Sequence, residues 1–202
     1  MTPDGPGRQV DRRRTPSPAV KVRDVQWSDF PGLLEIYYHL YEERAQGDPI
    51  GITLFSERPS HADEIDWFAR AYGRFERGVD VWSVAESDGR VVGNCTIQRL
   101  APVAGSEQAH IGILGILVHH SHRGQGVGTA LLTHALAAAR RRFEVVRLSV
   151  FSINTGARRL YERFGFVTTG HSPRAVKRDG AYLDEEEMTL VFEGGPTGAA
   201  NA

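Results

Sequence analysis

The 202-residue sequence predicts an α/β (α+β) domain, with a mixed, mostly antiparallel central sheet and helices on both faces. Three observations carry that prediction. Two strand-like runs, Val79–Ala85 and Arg90–Ile97, are joined by Ser87-Asp88-Gly89, which suits an antiparallel hairpin. Stretches of helical period alternate with strand-like runs, so crossovers occur beside hairpins. A glycine-rich segment from Gly124 to Gly128 stands between an apolar run and an amphipathic stretch, which reads as strand, loop and helix.

Ala19–Val25 reads as an opening strand. Phe30, Leu33, Leu34, Tyr37, Leu40 and Tyr41 recur at helical spacing. Ser60 and Asp63 form an N-cap pair before Ile65, Phe68, Ala69 and Tyr72, the second helix. Gly47–Pro59 between them is expected as a loop. After the hairpin comes Ala109–Val118, an apolar run whose Gly112 and Gly115 suggest a bulge or the close approach of a ligand or backbone. Beyond the glycine loop, Leu131, Leu132, Ala135, Leu136 and Ala139 mark one stripe of a helix. A strand at Val145–Phe151, a short helix through Ala157, Leu160, Tyr161 and Phe164, and strands at Phe166–Thr169 and Met188–Phe192 complete the order.

Composition narrows the function. Net charge is −1, from 24 Lys+Arg and 25 Asp+Glu, which argues against a dedicated nucleic-acid binder. The average hides an imbalance. Between His119 and Arg178 stand eleven Arg and Lys against two acids, Glu144 and Glu162. Cys95 is the one cysteine, so neither an intrachain disulfide nor a multi-thiolate metal site can form. No apolar run reaches roughly twenty residues, so no membrane span is expected. Residues 1–18, rich in Pro, Gly and Arg, hold too little apolar surface to offset the entropy of ordering, and read as a disordered tail, as do residues 194–202. The N-terminal tail has no apolar core segment after its charges and does not read as a secretory leader. The chain is therefore expected in the cytoplasm, with one domain at residues 19–193.

The glycine loop, Arg123-Gly124-Gln125-Gly126-Val127-Gly128, suits an anion. Glycines admit positive φ and close approach, and a helix start supplies unpaired N–H donors. The spacing is neither a Walker loop nor the dinucleotide fingerprint, and no acid ends the next strand to hold a ribose.

Arg123-x-x-Gly126-x-Gly128 resembles the Q/R-x-x-G-x-G/A acyl-CoA signature of GCN5-related N-acetyltransferases. Asn154-x-x-Ala157-x-x-Leu160-Tyr161 with Gly165-Phe166, about thirty residues on, resembles that family's second signature. The resemblance implies the family's fold and an enzyme that transfers acetyl from acetyl-CoA directly to a primary amine, such as that of an amino acid. It implies that amides of Gly124, Gln125, Gly126, Val127, Gly128 and Thr129, with Arg123, hold the pyrophosphate. Ile116, Leu117 and Val118 would pair with the pantetheine arm. Asn154 reads as a helix N-cap and, by resemblance, as a CoA contact. Tyr161 reads as a core residue on an apolar stripe and, by resemblance, as the general acid toward the CoA sulfur.

The base is open. Relatives place a glutamate on the fourth or fifth strand, where this chain has Gly112 and Ser149. His110 is the leading alternative, ahead of Glu107, Asp184 and Glu185. Tyr182 and Asp184, in a turn before the last strand, are candidates to face the acceptor. Tyr37, Tyr38, Tyr41, Phe55, Glu42, Glu43 and Asp48 are candidate walls of the acceptor pocket. His119, His120 and His122 crowd the strand end, but no nearby carboxylate or thiol completes a ligand set, so no metal is expected. The partners expected are acetyl-CoA and an amine, with room for a homodimer, and neither nucleic acid nor membrane. An acyl-CoA-binding sensor without activity and a protein or peptide N-acetyltransferase are the competing readings.

Overall fold

The computed structural model describes residues 20–47, 50–101 and 105–194. Apart from Gly194, the two tails expected to be disordered lie outside the described residues. Seven strands form one sheet: β1 (Lys21–Asp24), β2 (Val81–Ser87), β3 (Arg90–Arg99), β4 (Ile111–Val118), β5 (Val145–Phe151), β6 (Val167–Arg178) and β7 (Ala181–Val191). Their spatial order is β1-β2-β3-β4-β5-β7-β6, and every pairing is antiparallel except β4 with β5. Helices α1 (Phe30–Ala45) and α2 (His61–Glu76) precede β2, α3 (Val127–Ala139) links β4 to β5, and α4 (Thr155–Arg163) follows β5. The expected order of elements and mixed sheet are both present.

Local chemistry explains most boundaries. Pro31 opens α1, where its missing N–H has no intrahelical role. The Ser60 hydroxyl accepts from Asp63 N at 3.2 Å, and Asp63 returns a bond from Ser60 N at 3.1 Å, closing the capping box of α2. Asp88 takes φ 50° at the β2–β3 turn, as a tight hairpin requires. The two faces of β2 then divide the core. Val81 and Ala85 join Leu131, Leu132 and Phe143 on the α3 side, while Trp82 and Val84 join Leu33 and Phe68 under α1 and α2.

The last two strands are longer than the sequence predicts. Met188–Phe192 was expected, but β7 begins at Ala181, and β6 runs to Arg178 instead of Thr169. The run Asp184-Glu185-Glu186-Glu187 lacks an apolar alternation, so its strand character comes from pairing with β5, from Phe151↔Glu185 to Ser149↔Glu187. Pro173 and Arg174, at φ 54°, interrupt the register of β6 between Ser172 and Val176.

Gly112 and Gly115 differ in what they permit. A Cβ at Gly112 would stand 2.5 Å from Ile97 Cγ2 and 3.1 Å from Phe143 Cδ2, whereas one at Gly115 meets only Thr96 Oγ1 at 3.4 Å. Gly112 is thus the packing glycine. Gly112→Ala should lower the unfolding free energy by ~1–3 kcal/mol, as overpacking does, and Gly115→Ala should leave it nearly unchanged. Urea unfolding of the two variants checks this, and equal effects would contradict it.

Candidate active site

The one parallel pairing is short. Strand β4 meets β5 only at Ile111↔Val145, Gly112↔Val146 and Ile113↔Arg147. Beyond Ile113, β4 keeps its partner β3 to Val118, and β5 keeps β7 to Phe151, while the two strands part from each other. A cavity of about 590 Å³ fills the gap, lined by Leu114–Val118 from β4, Ser149–Phe151 from β5, Asn154 and Tyr161. Backbone groups of β4 that face this gap have no strand partner, so this stretch is an internal sheet edge. Gly112 lies within the last paired stretch and Gly115 within the splayed one.

The glycine loop follows the Arg123 end of the cavity. Gly124 and Gly126 take φ 72° and 88°, and a Cβ on either would meet nothing within 4 Å, so the demand here is conformational. The first α3 bond runs from Ala130 N to Gly126 O. That leaves the amides of Val127, Gly128 and Thr129 without intrahelical acceptors, at the positive end of the helix dipole. Arg123 itself is engaged. Its Nη1 and Nη2 donate to Glu43 at 2.7 and 3.0 Å, and its Nε donates to Val118 O at 3.0 Å. The guanidinium fastens the loop to α1 and to the end of β4.

Asn154 caps α4 by accepting from Ala157 N at 3.1 Å while its side chain lines the cavity. Tyr161 is buried beside Phe166, with ring centroids 5.9 Å apart, and also lines the cavity. Burial, and then the neighbouring Cys95, pushes its phenol well above the ordinary tyrosine value.

The first comparison decides the family. Residues 21–166 match the Acetyltransferase (GNAT) family. The chain belongs to this family. Among its relatives, L-amino acid N-acyltransferase MnaT of Escherichia coli is 27% identical over 176 residues, covering 86% of this chain and 95% of that protein. N-alpha-acetyltransferase 40 of Saccharomyces cerevisiae is 39% identical over 98 residues, covering 45% of this chain but 32% of that protein. The chain therefore spans about a third of the yeast relative's length. The fold also matches yncA of Salmonella typhimurium, solved with its cofactor acetyl-CoA, at TM-score 0.73 and 24% identity, covering 90% of this chain and 97% of that one.

Beside the first cavity, under α1 and α2, this GNAT chain has a second cavity, of about 420 Å³. Its walls are apolar, with Leu33, Phe55, Trp67 and Trp82 among them, and it meets the first cavity along Gly115, Ile116 and Leu117. Ile52 borders both, so the Gly47–Pro59 segment supplies part of the wall. Arg178, at the tip of the β6–β7 hairpin, donates to Ile50 O at 2.9 Å and Ile52 O at 2.6 Å and so holds that segment over the site.

Among the described residues one acid lines the second cavity, and sequence reasoning missed it. Glu64 looks like a second acid in the first turn of α2, beside the capping Asp63. In the structure it is half-buried and reaches the cavity wall near Tyr37. Burial raises its carboxyl above the ordinary value, with a smaller contribution from Asp63. Its place three residues before Trp67 and four before Phe68, on the apolar side of the helix, is the signal that could have found it.

Other candidates are not brought to the site. His110 is exposed, and its carbonyl accepts from Glu144 N and Val145 N at the closed end of the β4–β5 seam. At about 3.3 Å per residue it stands roughly 20 Å along the strand from Ile116. It is not among the residues that line either cavity. Asp184 accepts from Arg174 N at 2.7 Å, and Tyr182 is exposed beneath Arg174 and Lys177, so both serve the hairpin. Glu107 lines neither cavity, whereas Glu185 lines the first. Glu43 is committed to Arg123 and Glu42 to His39, while Asp48 lies outside the described residues. Tyr37 and Phe55 do line the acceptor side. Tyr38 donates to Pro59 O, and Tyr41 pairs with Tyr37 at 3.3 Å.

Cys95 is fully buried, and burial pushes its thiol from 9.0 up to about 12. Both Cys95 and Tyr161 thus hold protons more tightly when folded, so the unfolded chain releases them first and stability falls as pH rises through about 9. The urea midpoint should decline steadily between about pH 9 and 12, and the Cys95→Ala variant should decline less. Thiol reagents at about pH 8 should label wild type only after unfolding. Rapid labelling of the native chain would contradict the burial argument.

Proposed function

We propose that this chain transfers the acetyl group of acetyl-CoA to the amine of a small molecule, in one step within a ternary complex. The observation that carries the reading is the junction. A cleft with an unpaired strand edge and a phosphate-suited loop meets an apolar cavity with one acid along Gly115–Leu117. The same cofactor in yncA and the amino-acid acceptor named for MnaT support it.

In this reading the pantetheine arm adds to the free edge of β4 as a strand would, at Ile116–Val118, and the pyrophosphate lies on the amides of Gly124–Thr129. A β4 amide polarises the thioester carbonyl. The amine attacks that carbon, the N–C bond forms, the C–S bond breaks, and the sulfur leaves as thiolate. Tyr161 gives it a proton, and the second proton shed by the acetylated nitrogen passes through water to restore the phenol. Burial keeps that phenol protonated, so the proton is present when the thiolate forms. Glu64 holds the incoming ammonium and accepts its proton, directly or through water. Its raised proton affinity narrows the gap to an α-amine near pKa 8. Among the described residues, no arginine or lysine lines the acceptor cavity. The pocket therefore selects an amine with an apolar or aromatic body, and a carboxylate would bond to Asn94 or Thr96.

Free-thiol release from acetyl-CoA, measured across apolar amino acids, their decarboxylated amines and lysine peptides, tests the reading. Turnover with the first two groups is expected, and CoA release with none of them would overturn it. Tyr161→Phe should lower kcat by ~10²-fold or more while CoA affinity stays within about threefold. Glu64→Gln should raise the acceptor KM and flatten the acid limb of the pH–rate profile. An unchanged KM and profile would remove Glu64 from the site.

A further inference from the structure

Three histidines from two distant parts of the chain meet beside the glycine loop. His39 lies on α1, and His119 and His120 lie between β4 and the loop. The His39 ring stacks on His120 with centroids 4.4 Å apart and on His119 at 4.9 Å, and His119 and His120 stand 4.5 Å apart. One ring nitrogen from each lies within 4.8 Å of the other two. The two binding cavities do not use this cluster. His39 and His119 are half-buried and His120 is exposed, so an ion in solution can reach it.

Neighbouring groups fix two of the three rings. His39 Nδ1 bonds to Glu42 Oε2 at 2.9 Å, which leaves Nε2 free. His119 Nδ1 bonds to Ser121 Oγ at 2.8 Å and likewise leaves its Nε2 free. A carboxylate or hydroxyl on one ring nitrogen, fixing tautomer and orientation for the other, is the usual outer shell of a ligating imidazole. Glu43 offers an oxygen as a fourth ligand, its Oε1 standing 4.0 Å from His39 Nε2 while also accepting from Arg123 Nη2 at 3.0 Å. The carboxylates that the sequence lacked near His119 come from α1.

We propose that His39, His119 and His120 bind one late first-row divalent cation, of the zinc or nickel class, with Glu43 or water completing a four-coordinate site. Imidazole suits these ions, and three protein nitrogens with a fourth oxygen position give the tetrahedral geometry zinc takes. The ion ties α1 to the end of β4. Because Glu43 also grips Arg123, the site is coupled to the glycine loop through that one carboxylate.

The test uses tag-free, chelator-stripped full chain. Zinc binding is measured by calorimetry, and cobalt is the optical probe of geometry. One zinc per chain and the intense visible bands of four-coordinate cobalt are expected. His39→Gln and His120→Gln should each weaken zinc binding by well over ~10-fold, and Glu42→Gln by ~10-fold through the outer shell. His171→Gln, at a separate acidic cluster, should change neither stoichiometry nor affinity. Far-UV spectra and thermal unfolding in chelator show whether each variant is folded. Absence of zinc binding by wild type, affinity unchanged in both folded ligand variants, or loss of the site in His171→Gln would each overturn the assignment.

Discussion

The parting of β4 and β5 is the constraint on which the rest of this structure depends. Each strand is fully paired on its other side, β4 with β3 and β5 with β7. Each half of the sheet therefore keeps its own ladder of hydrogen bonds, and the seam between them is where the sheet parts. Adjacent strands in a twisted sheet rotate by roughly 20–25°, so two strands held at one end diverge unless bonded along their length. The opening leaves unpaired peptide groups in a partly enclosed cleft, and a buried group without a partner costs about 1–3 kcal/mol. Such a cleft is stable when water or an extended ligand takes the place of the missing strand. A cofactor with peptide-like amides is the kind of ligand that fits.

Around that seam, the site is assembled by contacts of long sequence separation. Arg123 and Glu43 lie eighty positions apart and form a bidentate pair whose carboxylate is buried. Removing the arginine would strand a buried charge, which is far more damaging than losing an exposed pair. Arg178 joins the β6–β7 tip to the carbonyls of Ile50 and Ile52, and Arg44 meets Asp179 at 2.6 Å next to it. Two cations of the basic segment, Arg123 and Arg178, are thus engaged in structure. The local charge excess holds the loop and the covering segment in place and is only partly available to a phosphate. The near-neutral total of the chain says nothing about that division.

How much of this was legible depended on the range of the interaction involved. The Ser60–Asp63 capping box, the Asp88 turn and the Asn154 cap are set by residues within a few positions of one another, and they appear as expected. The glycine loop and its helix start follow from the same local chemistry. The full length of β7 was not legible, because its acidic run is strand only through β5 and β6. Nor was Gly112 separable from Gly115, since the difference is the distance to Ile97 and Phe143.

The candidate site divides in the same way. The sequence by itself determined the order of elements, the glycine loop with its helix start, and the short helix that carries Tyr161. Each of these is written in periodicity, glycine spacing or a motif. Only the tertiary structure decided which polar groups stand together. It carried His110 to the closed end of the seam, committed Glu43 to Arg123, turned Glu64 into the apolar cavity and stacked His39 on His119 and His120. The reason is physical. Backbone preference acts over a few residues, whereas the neighbours of an ionisable side chain are fixed by how helices pack across a sheet.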